Sequence, residues 1–161
     1  MEYRVSCPAC EIWGEVIPSG NDCTITINGG TPHVGCVVLA VPRPSLTGIG
    51  TSATVSVINR TGHMDDAIAS AVAKQVAIQR NCAVACSCGI HIDNASAKAI
   101  AQIRNSVPVI VEDILALLER RGHTNPVEEK GNNPAEAGHI NSAKAKCSPA
   151  TAKSITSDET K

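Results

Sequence analysis

Much of the predicted fold is decided by residues 82–94, Cys-Ala-Val-Ala-Cys-Ser-Cys-Gly-Ile-His-Ile-Asp-Asn. The apolar run predicts a strand over residues 82–90. A helix is expected after Asn94, whose side chain can cap free N–H groups. His91 and Asp93 therefore lie between a strand and a helix N-terminus. Imidazoles and carboxylates that face a ligand are often presented at such a junction.

The segments before residue 82 predict the rest of a sheet. Four further strands are expected, over residues 11–17, 23–28, 34–41 and 51–59. The first two alternate apolar and polar residues around a turn at residues 18–22, which indicates a β-hairpin. Residues 34–41 are continuously apolar, which is typical of a strand covered on both faces, and Pro42 is expected to end it.

Three helices are predicted by apolar residues at helical spacing. The first covers about residues 65–80, with Asp65 and Asp66 in its first turn, where they complement the helix dipole. The second begins after Asn94 and is interrupted by Pro108, and the third ends near Gly122. The predicted fold class is α/β (α+β), a mainly antiparallel sheet of about five to six strands packed with two to three helices.

The predicted organisation is a single domain between two less ordered ends. Residues 1–10 are expected to form a loose N-terminal segment and residues 11–122 a single α/β domain. Residues 123–161 contain few large apolar side chains, so a disordered C-terminal tail is expected there.

Composition excludes several classes of function. The formal net charge of −1 and the scarcity of aromatic residues argue against a nucleic-acid partner. No apolar run is long enough to span a bilayer, and no signal-peptide pattern is present, so a cytoplasmic protein without a membrane partner is expected. In a reducing compartment the eight cysteines would be thiols, redox groups or metal ligands rather than disulfides.

Three histidines at chain corners are the main candidates for a site. His33, His63 and His91 each lie at a junction, accompanied by the carboxylates Asp65, Asp66 and Asp93. Imidazole with carboxylate can bind a divalent metal, but the spacing matches no familiar zinc pattern. A second alternative is that each histidine has a purely structural role and stabilises its own corner by hydrogen bonds to the backbone. The interpretation favoured here is a polar cluster that faces a ligand, without a metal.

The loop that begins at Pro42 is a candidate for binding phosphate or carboxylate. Arg43 and Ser45 lie on a segment stiffened by proline, followed by the hydroxyls of Thr47, Thr51 and Ser52. A guanidinium with hydroxyl and N–H donors suits a phosphate. A solvated loop is the alternative, since no Walker or GxGxxG pattern is present.

Two cysteine pairs allow another kind of metal site. Cys7 and Cys10 form a CxxC, which supplies only two ligands. Cys86 and Cys88 would have to complete a zinc or iron–sulfur site. They share one face of the predicted strand, so packing as small apolar side chains is favoured. No motif frames a catalytic serine, although a His–Asp pair could perform acid–base chemistry with or without a metal.

Five segments resemble a known family. In order, they are residues 31–35 (Thr-Pro-His-Val-Gly), 42–46 (Pro-Arg-Pro-Ser-Leu), 51–57 (Thr-Ser-Ala-Thr-Val-Ser-Val), 62–66 (Gly-His-Met-Asp-Asp) and 89–95 (Gly-Ile-His-Ile-Asp-Asn-Ala). Together they are similar to the LpdD-type prenylated-flavin chaperone domain, which accompanies UbiD-type aromatic-acid decarboxylases. The resemblance spans roughly residues 11–121.

The resemblance implies a fold and a function. It implies a fold like that of proteasome-assembly chaperones, usually paired into a homodimer. The expected function is to hold prenylated FMN (or FMN) so that a UbiD-type decarboxylase subunit matures, with no catalysis by this chain. A dimeric chaperone for protein alone and a small His/Asp enzyme with a metal are the alternatives. Carried over by position, the cofactor-binding residues would be His33, Arg43, Ser45, Thr51, Ser52, His63, His91, Asp93 and Asn94.

Overall fold

A computed structural model describes residues 1–120 and Gly122. The expected disordered tail, residues 123–161, lies outside these described residues. Within these described residues, six strands and three helices follow one another. They are β1 (Glu2–Ser6), β2 (Glu11–Ser19), β3 (Asp22–Gly30), β4 (Cys36–Pro44), β5 (Thr51–Asn59), α1 (Asp66–Arg80), β6 (Val84–His91), α2 (Ala97–Asn105) and α3 (Val107–Arg120).

The strands form a single open sheet in the order β1-β2-β3-β6-β4-β5. Only β3 and β6 run parallel, and every other neighbouring pair is antiparallel. The predicted fold class, an α+β protein with a mainly antiparallel sheet, is therefore confirmed. The predicted hairpin is present as well, with its turn at Gly20 and Asn21 between the paired residues Ser19 and Asp22.

The N-terminal segment differs from the sequence expectation. Residues 2–6 form β1, which pairs with β2 at the edge of the sheet, where a loose segment was expected. Tyr3 and Val5 are buried, and the Tyr3 hydroxyl donates a hydrogen bond of 2.8 Å to the carbonyl oxygen of Thr26. This strand is thus held by apolar burial and by a contact that reaches across β2.

Helices α1 and α3 lie on one face of the sheet, and α2 contacts α3. Helix α1 packs on β4, β5 and β6, α3 contacts β1 and β2, and the two helices contact each other. The core between them is aliphatic, and its largest fully buried side chains include Ile25, Ile110 and Leu118. Within β6 both Cys86 and Cys88 are buried in this core, as their shared face predicted.

The opposite face of the sheet has no cover in the described part of the chain. Val37, Leu39 and Val41 of β4 point to this face and are 43%, 46% and 44% exposed. The expectation that β4 is covered on both faces is therefore not met within one chain. Pro42 also does not end the strand, because β4 continues in its pairing with β5 after its pairing with β6 has ended at Ala40.

Candidate functional site

The parallel pairing of β3 with β6 brings three chain corners to one edge of the sheet. Gly30, at the end of β3, is the register partner of His91 at the end of β6. β4 begins at the same edge, because Cys36 pairs with Cys88, and β5 ends there, because Cys36 also pairs with Asn59. The connections that carry His33 and His63 therefore meet the end of β6.

The imidazoles of His33 and His63 contact each other and a buried carboxylate. Nε2 of His33 lies 2.9 Å from Nδ1 of His63. Oδ2 of Asp65 lies 3.6 Å from the first of these nitrogens and 3.5 Å from the second. The exposed fraction is 8% for the Asp65 side chain, against 15% and 24% for His33 and His63. A carboxylate that is buried to this degree requires partners, and the two imidazoles together with a backbone N–H provide them.

The backbone fixes the orientation of this cluster. Oδ1 of Asp65 accepts a hydrogen bond of 2.9 Å from the N–H of Ile90, so Oδ2 is left for the histidines. Nδ1 of His33 lies 3.2 Å from the carbonyl oxygen of Thr31. A carbonyl only accepts, so Nδ1 carries the proton, and Nε2 presents its lone pair to His63.

Two glycines allow the close approach on which the cluster depends. A Cβ at Gly35 would meet the carboxylate of Asp65, and a Cβ at Gly89 would meet the backbone carbonyl of His33. The N–H of Gly35 also donates a hydrogen bond of 2.9 Å to the carbonyl oxygen of Cys88. A side chain at either position would push apart the elements that carry the histidines.

The Cys88 thiol behind the carboxylate is held in its protonated form. The hydrogen bond between the Cys88 and Cys36 side chains raises the pKa of the Cys88 thiol, and burial raises it further. The neighbouring Asp65 carboxylate acts in the same direction. Cys88 is therefore a neutral, buried thiol at neutral pH.

His91 and Asp93 lie beside the cluster and are more exposed. Nε2 of His91 is 3.1 Å from Oδ1 of Asp93, with exposed side-chain fractions of 51% and 88%. The His91 ring meets the His33 ring edge-on, with centroids 5.9 Å apart. Asn94 adopts a left-handed conformation with φ 53°, and it does not cap the next helix. Ser96 is the N-cap of α2, and its hydroxyl accepts a hydrogen bond from the N–H of Ala99.

A cavity of about 370 Å³ opens next to these groups. His63, Asp65 and His91 contribute the polar part of its wall, and Arg104 of α2 contributes a guanidinium. Its apolar wall includes Ile68, Ile90, Ile92, Ile100 and Ile103. Sequence reasoning missed Arg104 and this wall. Ile100 is 49% exposed, whereas Ile103 of the same helix is buried. The apolar side chain of Ile100 is therefore available to the cavity and is not used in the core.

Arg43 lies in the last part of β4, at the opposite end of the sheet, and the loop with Ser45 follows it. Arg43 is seven residues further along β4 than Cys36, or about 23 Å at 3.3 Å per residue. Its Nε donates to the hydroxyl of Thr54 at 3.1 Å, and its Nη1 donates to the carbonyl of Pro44 at 3.0 Å. Ser45, Thr51 and Ser52 belong to this same end of the sheet. Within one chain, the structure does not bring this loop and the histidines into a common pocket.

A second cavity lacks the groups that the sequence singled out. It measures about 680 Å³ and lies between α1 and α3, and its wall includes Gln75, Gln79 and Glu112. No histidine or cysteine lines it. Among the described residues, moreover, the only His/Cys/Asp/Glu group whose ligand atoms are close enough to hold a metal ion is His33, His63 and Asp65. The four-thiolate alternative thus has no support in the part of the chain that the structure describes.

The fold and the site define an α+β protein with a polar and apolar cavity at one edge of its sheet. A family model described as the prenylated flavin chaperone LpdD-like domain matches residues 6–119, and the chain belongs to this family. The comparison with curated proteins gives no match. Among solved structures, "Crystal Structure of a Novel Chaperone Complex for Yeast 20S Proteasome Assembly" matches with 14% identity and a TM-score of 0.44, covering 74% of this chain and 94% of that chain. None of the described helices is long and apolar enough to cross a membrane.

Proposed function

We propose that the chain is a non-catalytic chaperone that binds prenylated FMN and delivers it to a UbiD-type decarboxylase. Membership of the prenylated flavin chaperone family supports the cofactor class. The cavity beside the three histidines is the single structural observation that carries the proposal. In such a system the cofactor brings the reaction chemistry, so the residues of this chain need only to hold it.

The groups around the cavity fit a phosphorylated ligand with a large apolar part. Its volume of about 370 Å³ falls within the usual range for ligand pockets, roughly 300–1,000 Å³. The isoleucine wall suits a prenyl group and a ring system. The imidazoles of His63 and His91 are the flat side chains of the wall, while Tyr3 and Trp13 line a different surface. Arg104 provides a positive charge for a phosphate.

Arg104 therefore takes the role that the sequence assigned to Arg43. The guanidinium of Arg43 already bonds Thr54 and Pro44 at the far end of the sheet. In this proposal the cofactor contacts come from His63, His91 and Arg104 in the cavity wall. His33, which contacts His63, and Asp93 and Asn94, which follow His91, would complete them. Arg43, Ser45, Thr51 and Ser52 can reach the same ligand only if a second copy brings them to it.

Titration with FMN and with prenylated FMN tests this proposal. We expect a chromophore that co-elutes with the purified chain, and loss of a charge-assisted hydrogen bond in Arg104→Ala should weaken binding about 10- to 100-fold. Arg43→Ala is the matched comparison and should retain the wild-type dissociation constant. Binding of neither flavin would overturn the proposal, and a loss confined to Arg43→Ala would move the phosphate site to the loop.

Delivery is tested separately from binding. The flavin-loaded chain is mixed with a UbiD-type decarboxylase that lacks its cofactor, and decarboxylation is followed over time. We expect faster activation than with the same concentration of free prenylated FMN. Equal rates would leave a flavin-binding protein without a delivery role. The chain alone, loaded with flavin, should show no decarboxylation.

The bare sheet face favours a second candidate function, that of a dimeric chaperone that docks protein. Val37, Leu39, Val41 and Ile58 lie on the same side of β4 and β5, as the pairing of Val37 with Ile58 shows. The apolar stretch ends at Val41, because Arg43 follows on the same face and bonds the hydroxyl of Thr54, the register partner of Val41. Two copies can bury Val37, Leu39 and Ile58 against each other there.

The molar mass in solution tests the homodimer. Leu39→Glu, which places a charge in the centre of the face, should convert a dimer into a monomer in light scattering. Leu46→Glu, at a loop position that is 90% exposed, is the matched control and should leave the mass unchanged. A monomeric wild type would remove the homodimer and leave the face for another protein.

A further inference from the structure

The contact between His33, His63 and Asp65 has a geometry that flavin binding does not require. The three ligand atoms form a triangle with sides of 2.9, 3.5 and 3.6 Å. One point in the plane of this triangle lies about 1.9 Å from all three atoms. Zinc takes nitrogen and oxygen ligands at about 2.0–2.2 Å, so an ion about 0.7 Å out of the plane would satisfy all three bonds with almost no movement.

The surroundings hold these atoms in the orientation that a metal needs. The proton on Nδ1 of His33 is directed at the Thr31 carbonyl, which leaves Nε2 as a ligand. The N–H of Ile90 holds the other oxygen of Asp65, which leaves Oδ2 as a ligand. Such outer hydrogen bonds orient ligands in metal sites and raise their basicity. Without a metal, Nδ1 of His63 carries the proton that the lone pair of His33 Nε2 accepts. A metal at Nδ1 requires the other neutral tautomer of His63, with the proton on Nε2.

We propose that His33, His63 and Asp65 bind one divalent transition-metal ion, Zn²⁺ in the first instance, through His33 Nε2, His63 Nδ1 and Asp65 Oδ2. Two imidazoles and one carboxylate form the ligand set of many open metal sites, in which a further position takes water or a ligand oxygen. Because His63 and Asp65 also line the cavity, the ion would lie in its wall. The proposal stands without the flavin, since it uses only atoms of this chain.

Among the residues that the structure describes, the thiols are competing ligands, and their chemistry differs from that of this site. Cys7 and Cys10 form a pair near the N-terminus, and Cys36 and Cys88 lie behind Asp65. A zinc–sulfur bond is longer, about 2.3 Å, than a bond to nitrogen or oxygen. X-ray absorption spectroscopy of the zinc-loaded wild-type chain therefore distinguishes sulfur ligands from nitrogen and oxygen ligands. We expect imidazole and oxygen ligands without sulfur.

Calorimetric titration of Zn²⁺ into untagged, metal-free full-length chain measures the affinity without any flavin. His63→Gln and Asp65→Asn each remove one ligand, and we expect a loss of at least about 100-fold, since outer partners alone are worth about 10- to 100-fold. Asp66→Asn is the matched control for Asp65→Asn, because it makes the same change at the adjacent carboxylate, which is not one of the three ligands, and it should bind Zn²⁺ as the wild type does. Circular dichroism establishes that each variant is folded.

The outcomes separate this proposal from the proposed function. Sulfur ligands in the wild-type chain, or unchanged Zn²⁺ affinity in folded His63→Gln and Asp65→Asn, would overturn the metal site. The spectroscopic result needs no variant, so it decides the question even if both variants unfold. Flavin titration of the metal-free chain is an independent measurement: flavin binding without zinc binding rejects only the metal, and zinc binding without flavin binding rejects only the flavin.

Discussion

A methyl group at Gly35 should destabilise the fold specifically through Asp65. The Cβ of Gly35→Ala would meet the Asp65 carboxylate and would lie 3.1 Å from the carbonyl oxygen of Cys88. The φ angle of Gly35 is not in the left-handed region, so alanine is not disfavoured by its backbone conformation. The lower entropy of the unfolded alanine chain would stabilise the protein by about 0.4–1 kcal/mol. Any destabilisation must therefore come from the contacts.

The size of the effect follows from what the carboxylate loses. Overpacking a filled site costs about 1–3 kcal/mol. Displacement of Asp65 also breaks its hydrogen bond with the N–H of Ile90, and an unpaired buried N–H costs about 1–3 kcal/mol more. After subtraction of the gain in the unfolded state, we expect Gly35→Ala to lower the free energy of unfolding by about 3 kcal/mol, the midpoint of a range of roughly 1–5 kcal/mol.

A double-mutant cycle isolates this cause. Asp65→Ala alone also loses the bond with Ile90, but it removes the group that Gly35→Ala displaces. In the Asp65→Ala background, Gly35→Ala should therefore cost under about 1 kcal/mol, which gives a coupling energy of roughly 1–3 kcal/mol. Urea unfolding of the four proteins, followed by circular dichroism, measures it. Ser45→Ala, at the opposite end of the sheet, should be additive with Asp65→Ala. Additivity of Gly35→Ala and Asp65→Ala within about 0.5 kcal/mol would refute the reasoning.

Two further substitutions test local contacts by urea unfolding. Ser96→Ala removes the hydroxyl that caps α2 and should cost about 1 kcal/mol, whereas Ser96→Asp keeps an acceptor and should cost little; equal losses would show that the cap contributes nothing. Tyr3→Phe removes the hydrogen bond to Thr26 but keeps the buried ring, so a loss of about 1 kcal/mol is expected. A loss near zero would show that β1 is held by apolar packing alone.

Periodicity predicted those elements whose faces differ in burial. The hairpin of β2 and β3, the strand β5 and the helices α1 and α3 were read from alternation or helical spacing. β1 was missed because five residues give a weak pattern and because its stabilising contact, from Tyr3 to Thr26, comes from a strand that is not its sequence neighbour. For β4, apolar residues on both faces predict burial, but they do not say whether the second cover belongs to the same chain.

The direction of the strands separates the predicted site residues into two groups at opposite ends of the sheet. His33, His63 and His91 come together because β6 runs parallel to β3 and antiparallel to β4. This same arrangement sends the loop after β4, with Arg43, to the opposite end of the sheet. The spacing of residues along the sequence predicts where the chain turns, but it does not predict the order of the strands in the sheet. Arg104 was missed for a related reason, since a lone arginine on a helix gives no sign of the cavity that its side chain borders.

Asp65 shows how a local rule and a tertiary role compete. An acidic residue at a helix start is expected to interact with the free N–H groups of its own helix. The Asp65 side chain makes no such cap, although it stands at the N-cap position of α1. Its carboxylate instead bonds the N–H of Ile90 and approaches two imidazoles. Departures from local rules concentrate where a protein binds or reacts. For this reason we propose that the end of the sheet at β6, which carries this carboxylate, is the functional end of the molecule.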